Sequence, residues 1–320
     1  MKSSKLNGTG RVALLACVLV SALLASCGGG QQVQTFTAAR VFAFGDETSV
    51  INANGSKYSV NGLASGSTAT LDCSVNPIWI QSVASAYGLV FPQCNPGGAS
   101  DPASRIHAAN GAQVADLSAQ IDQQLADGGF TNADLATVLV GPNDVIAQVA
   151  HYPAVGEDQL LVNVDAAGAA LAAQVNRLAA LGAKVIVSTI PDMGRTPYAG
   201  DRSVGSTNGN PGVLSRLSTR FNDALLSHLT NDGHQIGLVQ LDEYLTLVDR
   251  ATQASTNATF ANTTLASCQA TAPLPLCTTS TLVSDAAGAT WLWADDRHLS
   301  SSGQASLASL AVTRAQNNPF

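Results

Sequence analysis

The chain is 320 residues long and carries 15 Lys and Arg against 22 Asp and Glu, a formal net charge of −7, with a hydrophobic share of 46%. That length allows one large α/β domain or two small ones. The acidic balance, without basic clusters, argues against nucleic acid and against anionic lipid as partners.

Lys2, Lys5 and Arg11 precede an apolar run from Val12 to Ala25, followed by Ser26-Cys27. This is a charged leader, an apolar stretch too short to span as a mature helix, and a small-residue cleavage site. Leu24-Ala25-Ser26-Cys27 resembles a bacterial lipobox. The resemblance implies cleavage before Cys27 and lipidation of its thiol, and Gly28 in the next position suggests outer-membrane sorting. An ordinary secreted protein with a chance cysteine is the alternative. The expected organisation is a signal peptide at 1–26, a Gly- and Gln-rich tether at 27–39, and one domain at 40–320. Loss of the leader removes three cations and leaves 12 basic against 22 acidic residues. No second apolar run is long enough to cross a bilayer.

Strand-like and helical patterns then alternate. Val41–Phe44 reads as a first strand, Pro77–Leu89 and Val114–Ala126 as helices, and Thr137–Val140 as a buried strand. Leu160–Leu181 reads as a long Ala-rich helix stopped by Gly182, and Lys184–Ile190 as a strand ended by Pro191. Leu214–Leu229 is a predicted helix, Ile236–Leu241 a strand and Ser301–Arg314 a closing helix. Such alternation predicts an α/β fold with a parallel sheet and helices on both faces, and a site at the carboxyl ends of the strands. Stretches 53–72, 92–104, 199–212 and 251–289 read as loops, the last long enough to wall a substrate site.

With Cys17 lost and Cys27 lipidated, Cys73, Cys94, Cys268 and Cys277 remain. An even number in an exported chain reads as two disulfides. Local pairing, Cys73 with Cys94 and Cys268 with Cys277, is the simplest of the three connectivities. No Cys-x-x-Cys or paired-His spacing suggests a metal, and no cofactor is expected.

Three blocks carry chemistry. Asp295-x-x-His298 places a carboxylate where it can grip an imidazole and leave the second ring nitrogen free as a general base. Gly141-Pro142-Asn143-Asp144 and Phe44-Gly45-Asp46-Glu47 each follow a short apolar run. In order, these blocks resemble the SGNH/GDSL hydrolase superfamily, in its branch of secreted and outer-membrane lipases and esterases. Phe44-Gly45-Asp46-Glu47-Thr48-Ser49 stands where that branch has Phe-Gly-Asp-Ser-Leu-Ser. Trp79, Asn110-Gly111-Ala112, Gly182-Ala183-Lys184, the stretch Ile190–Pro197 and Phe221-Asn222 fall in corresponding order over about residues 40–315. The resemblance implies a three-layer, flavodoxin-like α/β/α sandwich around a central parallel sheet, and ester or acyl hydrolysis without a metal. It implies His298 as base, Asp295 as its orienter, and Gly111 N–H with the Asn143 amide as oxyanion donors. A polar turn capping the last helix, and a plain Gly-Pro-Asn-Asp turn, are the bland readings of the same residues. Asp46 and Asp144 are expected to hold loops. His107, His151, His228 and His234 read as surface.

Glu47 departs from the pattern, since the nucleophilic serine is expected there. A carboxylate has no hydroxyl proton to give, and its charge opposes an oxyanion and raises the pKa of His298. Three accounts stand: Ser49 or Thr48 is the nucleophile, Glu47 and His298 activate a water, or the site no longer catalyses. Two functions follow. One is a lipid-anchored esterase acting on a lipid or acylated-glycan ester, favoured by retention of Asp295, His298, Asn143 and Gly111. The other is a non-catalytic surface lipoprotein binding acyl chains or glycans, favoured by Glu47.

Overall fold

A computed structural model of the chain describes residues 36–200, 210–230, 233–254, 258–283 and 288–317. The signal peptide, Cys27 and the tether up to residue 35 lie outside the described residues, as do 201–209 and 284–287 of the expected loops.

Five strands form the central sheet: β1 (Arg40–Gly45), β2 (Arg105–Ile106), β3 (Asp134–Leu139), β4 (Lys184–Ser188) and β5 (Ile236–Val239). Their order is β2-β1-β3-β4-β5 and every pairing is parallel. The helices are α1 (Trp79–Ser85), α2 (Leu117–Ala126), α3 (Pro142–Val149), α4 (Glu157–Ala180), α5 (Pro197–Gly200), α6 (Pro211–His228), α7 (Leu241–Gln253) and α8 (Ser301–Asn317).

Side chains alternate across a strand, and here both faces are buried. Phe42 and Phe44 of β1 join Val138 and Val185 beneath α2, α4 and α6, through Ile121, Val175 and Phe221. Val41 and Ala43 face the other way, with Leu135 and Ile186, onto α1, α7 and α8 through Val83, Leu245 and Leu307. The result is the three-layer α/β/α arrangement, and it explains why the strands read as unbroken apolar runs.

The sheet's tight spacing dictates its strand ends. Gly45 has φ +118°, and a Cβ there would lie 1.9 Å from the Leu139 carbonyl oxygen of β3. Gly141 (φ +132°) would press a Cβ to 2.4 Å from the Phe221 ring. Each glycine lets the chain leave the sheet and turn at once. The Gly-Pro-Asn-Asp block is therefore more than a turn: Gly141 caps α3, and Pro142 occupies its first position, where the missing N–H costs nothing.

The structure corrects the reading of 251–289 as one loop. β6 (Asn262–Ala266) pairs in parallel with β7 (Trp291–Trp293) as a second, two-stranded sheet. The helix α7 also went unread. Leu241, Leu245 and Val248 recur at four and three residues along its buried side, a helical period masked by its abutting β5. His107 is another correction: its ring stacks on Phe44 with centroids 5.2 Å apart and bonds Gln124 at 2.9 Å. His151, His228 and His234 are exposed. Cys73–Cys94 and Cys268–Cys277 are disulfides. Among the described residues no helix is long and apolar enough to cross a membrane.

Candidate functional site

The site forms at the carboxyl rim of the sheet. After β1, Asp46 caps a single 3-10 turn, Glu47–Ser49, by accepting a hydrogen bond from Thr48 N at 2.9 Å. Gln120 of α2 holds the start of this turn from both sides: Gly45 N donates to its Oε1 at 2.8 Å, and its Nε2 donates to Gly45 O at 3.0 Å. Asn143 sits in the first turn of α3, and its neighbour Asp144 accepts from Val114 N at 3.1 Å, tying α3 to the segment after Gly111. His298 follows β7, with the Ala294 N–H bonded to its carbonyl at 2.7 Å.

These segments converge on one carboxylate. Glu47 Oε2 accepts from Gly111 N at 2.8 Å and from Asn143 Nδ2 at 3.0 Å. Its Oε1 lies 3.1 Å from His298 Nε2. On the other side of the ring, His298 Nδ1 is 2.7 Å from Asp295 Oδ2. Asp295 Oδ1 accepts from the backbone N–H groups of Arg297 and His298 at 2.9 and 2.7 Å. Glu47 is 4% exposed and His298 8%.

The electrostatics follow from this geometry. An ionised carboxylate only accepts hydrogen bonds, so a ring held by carboxylates at both nitrogens carries both protons. Burial pulls the His298 pKa down, but the charge and hydrogen bond of Asp295, then those of Glu47, carry it up to about 10. Burial pushes Glu47 up, yet His298 and the Gly111 N–H outweigh it and bring the carboxyl to about 2. Asp46, buried behind the turn, is raised to about 7 by desolvation and then by the Glu47 charge. His298 at rest is thus an acid, not a base.

The structure brings together Glu47, His298, Asp295, Gly111 and Asn143. It does not bring Ser49 to them. The Ser49 hydroxyl is fully buried and accepts from the Trp79 indole N–H at 3.1 Å, a bond a buried indole needs. Thr48 lines the same small cavity as His298, but it is Glu47 that holds the ring.

Three neighbours escaped the sequence reading. Tyr58 lies with its ring 5.9 Å from that of His298. Arg297 borders the cavity, and its buried Nε has no hydrogen-bond partner among the described residues. Gln120 had a legible signal: Leu117, Gln120, Ile121 and Gln124 lie at helical spacing on the buried side of α2, so two glutamines interrupt an apolar stripe.

The cavity bordered by Glu47, Thr48, Pro142, Pro191, Arg297 and His298 measures about 20 Å³. That is room for one water. A larger apolar groove of about 450 Å³ lies along α1, lined by Pro77, Ala86, Leu89, Val90 and Phe91, and touches none of these residues. Among the described residues no group of three or more His, Cys, Asp or Glu could hold a metal ion.

No protein-family model matches the sequence, and no curated protein matches it. Solved structures do resemble the chain. A catalytic mutant of an acetylxylan esterase from Geobacillus stearothermophilus is 15% identical, with 89% of this chain and 97% of that one covered and a TM-score of 0.46. An extracellular lipase from Streptomyces rimosus is 17% identical, with 88% and 100% covered and a TM-score of 0.41. A member of the lipolytic G-D-S-L family from Veillonella parvula is 10% identical, with 85% and 96% covered and a TM-score of 0.41.

Proposed function

We propose that this is an exported lipoprotein, anchored through Cys27 at the outer membrane, with an ester-hydrolase site that does not turn over free carboxylic esters. The observation that carries this reading is the position of the Glu47 carboxylate. Counted from Cβ, a glutamate side chain has the heavy-atom skeleton of an acylated serine: one linking atom, a carbonyl-type carbon, and two further atoms on it. Glu47 Oε2 takes the two N–H donors that would hold a tetrahedral oxyanion, and Oε1 faces the histidine as an attacking water would. The donors, the Asp295–His298 dyad and the nucleophile's place are all engaged by one residue. A substrate ester meets a carboxylate in the nucleophile's place, two engaged oxyanion donors and a protonated ring.

An assay with p-nitrophenyl butyrate tests this. The purified protein is expected to show no turnover above buffer from acid to mildly alkaline pH, whereas Glu47→Ser gains hydrolysis. Turnover by the unaltered chain that is lost in Asn143→Ala would overturn the reading and restore the esterase with an unusual nucleophile.

A further inference from the structure

Resting on the reading that Glu47 stands in the place of an acylated serine, we infer that Glu47 is itself a nucleophile toward a small epoxide, forming a glutamyl ester that the surrounding groups then hydrolyse. A carboxylate is a competent nucleophile toward an alkyl carbon, and covalent carboxylate intermediates split one difficult step into two. The carbonyl carbon that the site's donors address is Cδ of Glu47, because Gly111 N–H and Asn143 Nδ2 both point at its Oε2. An ester formed through Oε1 would present that carbon for hydrolysis with its oxyanion donors already in place.

The charges fit an epoxide in particular. In the first step Glu47 Oε1 bonds to a ring carbon, the carbon–oxygen bond breaks, and the electron pair leaves on oxygen. His298 Nε2–H, which lies on Oε1 at 3.1 Å, gives its proton to that oxygen. The products are a hydroxyalkyl ester of Glu47 and a neutral imidazole. In the second step His298, no longer beside a charged Glu47, takes a proton from water. The hydroxide adds to Cδ, the tetrahedral oxyanion sits between Gly111 and Asn143, and the alkoxide leaves, taking the proton back from His298. The diol departs carrying the epoxide's own oxygen and Oε1 of Glu47, which the water oxygen replaces on Cδ. The resulting Glu47 acid returns its proton to the ring and restores the ion pair. An alkyl halide fits less well, because halide leaves without taking a proton and His298 would stay charged, with no base left for the second step.

Size narrows the substrate. The cavity at Glu47 and His298, about 20 Å³, holds one water and is smaller than the three-atom ring of any epoxide, so the substrate enters only when the Oε1–Nε2 contact parts, and the smallest epoxides need the least parting. Arg297 borders that cavity, and its buried Nε–H has no partner among the described residues.

The experiment incubates the purified full chain with ethylene oxide in heavy-oxygen water, with protein in excess. Heavy oxygen is expected in the peptide containing Glu47 and not in the first diol formed. Asn143→Ala should slow the second step by roughly 100-fold or more, so that the mass of one epoxide accumulates on Glu47. Glu47→Gln should abolish both signals. Absence of diol above buffer, or diol labelled in the first turnover with no label at Glu47, would overturn the inference. If p-nitrophenyl butyrate is still untouched by the unaltered chain and cleaved by Glu47→Ser, the reading of the site survives that loss; if the unaltered chain cleaves the ester, both fall.

Discussion

Replacing Glu47 by Gln keeps the shape of the side chain and removes its charge, so the variant reports what that charge contributes to folding. The carboxyl titrates at about 2 in the folded chain against an ordinary 4.5. At ~1.4 kcal/mol per pH unit, this depression is worth about 3 kcal/mol where the unfolded carboxyl is ionised. A depressed carboxylate stabilises above its unfolded pKa and loses that contribution as pH falls towards its folded one. Urea denaturation followed by Trp fluorescence should therefore find Glu47→Gln less stable by about 3 kcal/mol at pH ~6, with that gap roughly halved or smaller at pH ~3. On the alkaline side the histidine decides. Its pKa is raised to about 10, so its contribution is complete below its ordinary 6.5 and is lost as pH rises through the raised value. Once that proton is gone, Glu47 has no counter-ion and the gap narrows again. One ion pair underlies both shifts, so the two contributions are not summed. A gap under ~1 kcal/mol at pH ~6, or one that does not change towards acid, would refute the ion-pair argument.

Three other perturbations probe the same framework. Nitrogen-detected NMR of the His298 ring should show both N–H groups at pH ~8, and Glu47→Ser, which leaves only Asp295 to hold the charge, should lower the pH at which one is lost. Gly45→Ala sets a Cβ 1.9 Å from the Leu139 carbonyl oxygen at φ +118°, so thermal denaturation should show a loss beyond ~3 kcal/mol or no folded protein. Lys57 is fully buried and its Nζ donates to the Cys73, Val75 and Asn76 carbonyls at 3.0, 2.9 and 2.8 Å; Lys57→Met strands all three acceptors and should cost about 3 kcal/mol or more by urea denaturation.

Much of the fold was legible because a doubly covered parallel sheet writes its strands as uninterrupted apolar runs, as in Val41–Phe44 and Val185–Val187. What stayed hidden has two physical causes. β6 is short and partly polar, β7 is only three residues long, and their pairing spans a disulfide-closed segment that no local period reports. The framework of the site is made of side chain-to-backbone clamps. Gln120 brackets Gly45, and Asn222 of α6 accepts from Ile190 N and donates to Ile190 O at 3.0 and 2.9 Å. Such clamps need one amide residue at one position and leave no periodic trace. Ser49 shows the converse. Its place beside Glu47 in sequence made it a candidate nucleophile, but the 3-10 turn sends its hydroxyl to Trp79.

The presence of Asp295, His298, Asn143 and Gly111 together favours an active site on the sequence reading, because the hydrolase resemblance gives a role to each. The structure supplies a second reason to keep them. A carboxylate as buried as Glu47 must be charge-paired and hydrogen-bonded, or it destabilises the fold by several kcal/mol. Its partners are the Gly111 N–H, the Asn143 amide and the His298 ring, and Asp295 in turn balances that ring. With glutamate at position 47, these four residues are held by folding as firmly as chemistry would hold them, and their presence is no proof of turnover. The two causes part on a single comparison. If the four residues serve folding alone, Asn143→Ala lowers stability while no variant or substrate ever marks Glu47. If they also serve chemistry, the same substitution leaves a covalent adduct on that side chain.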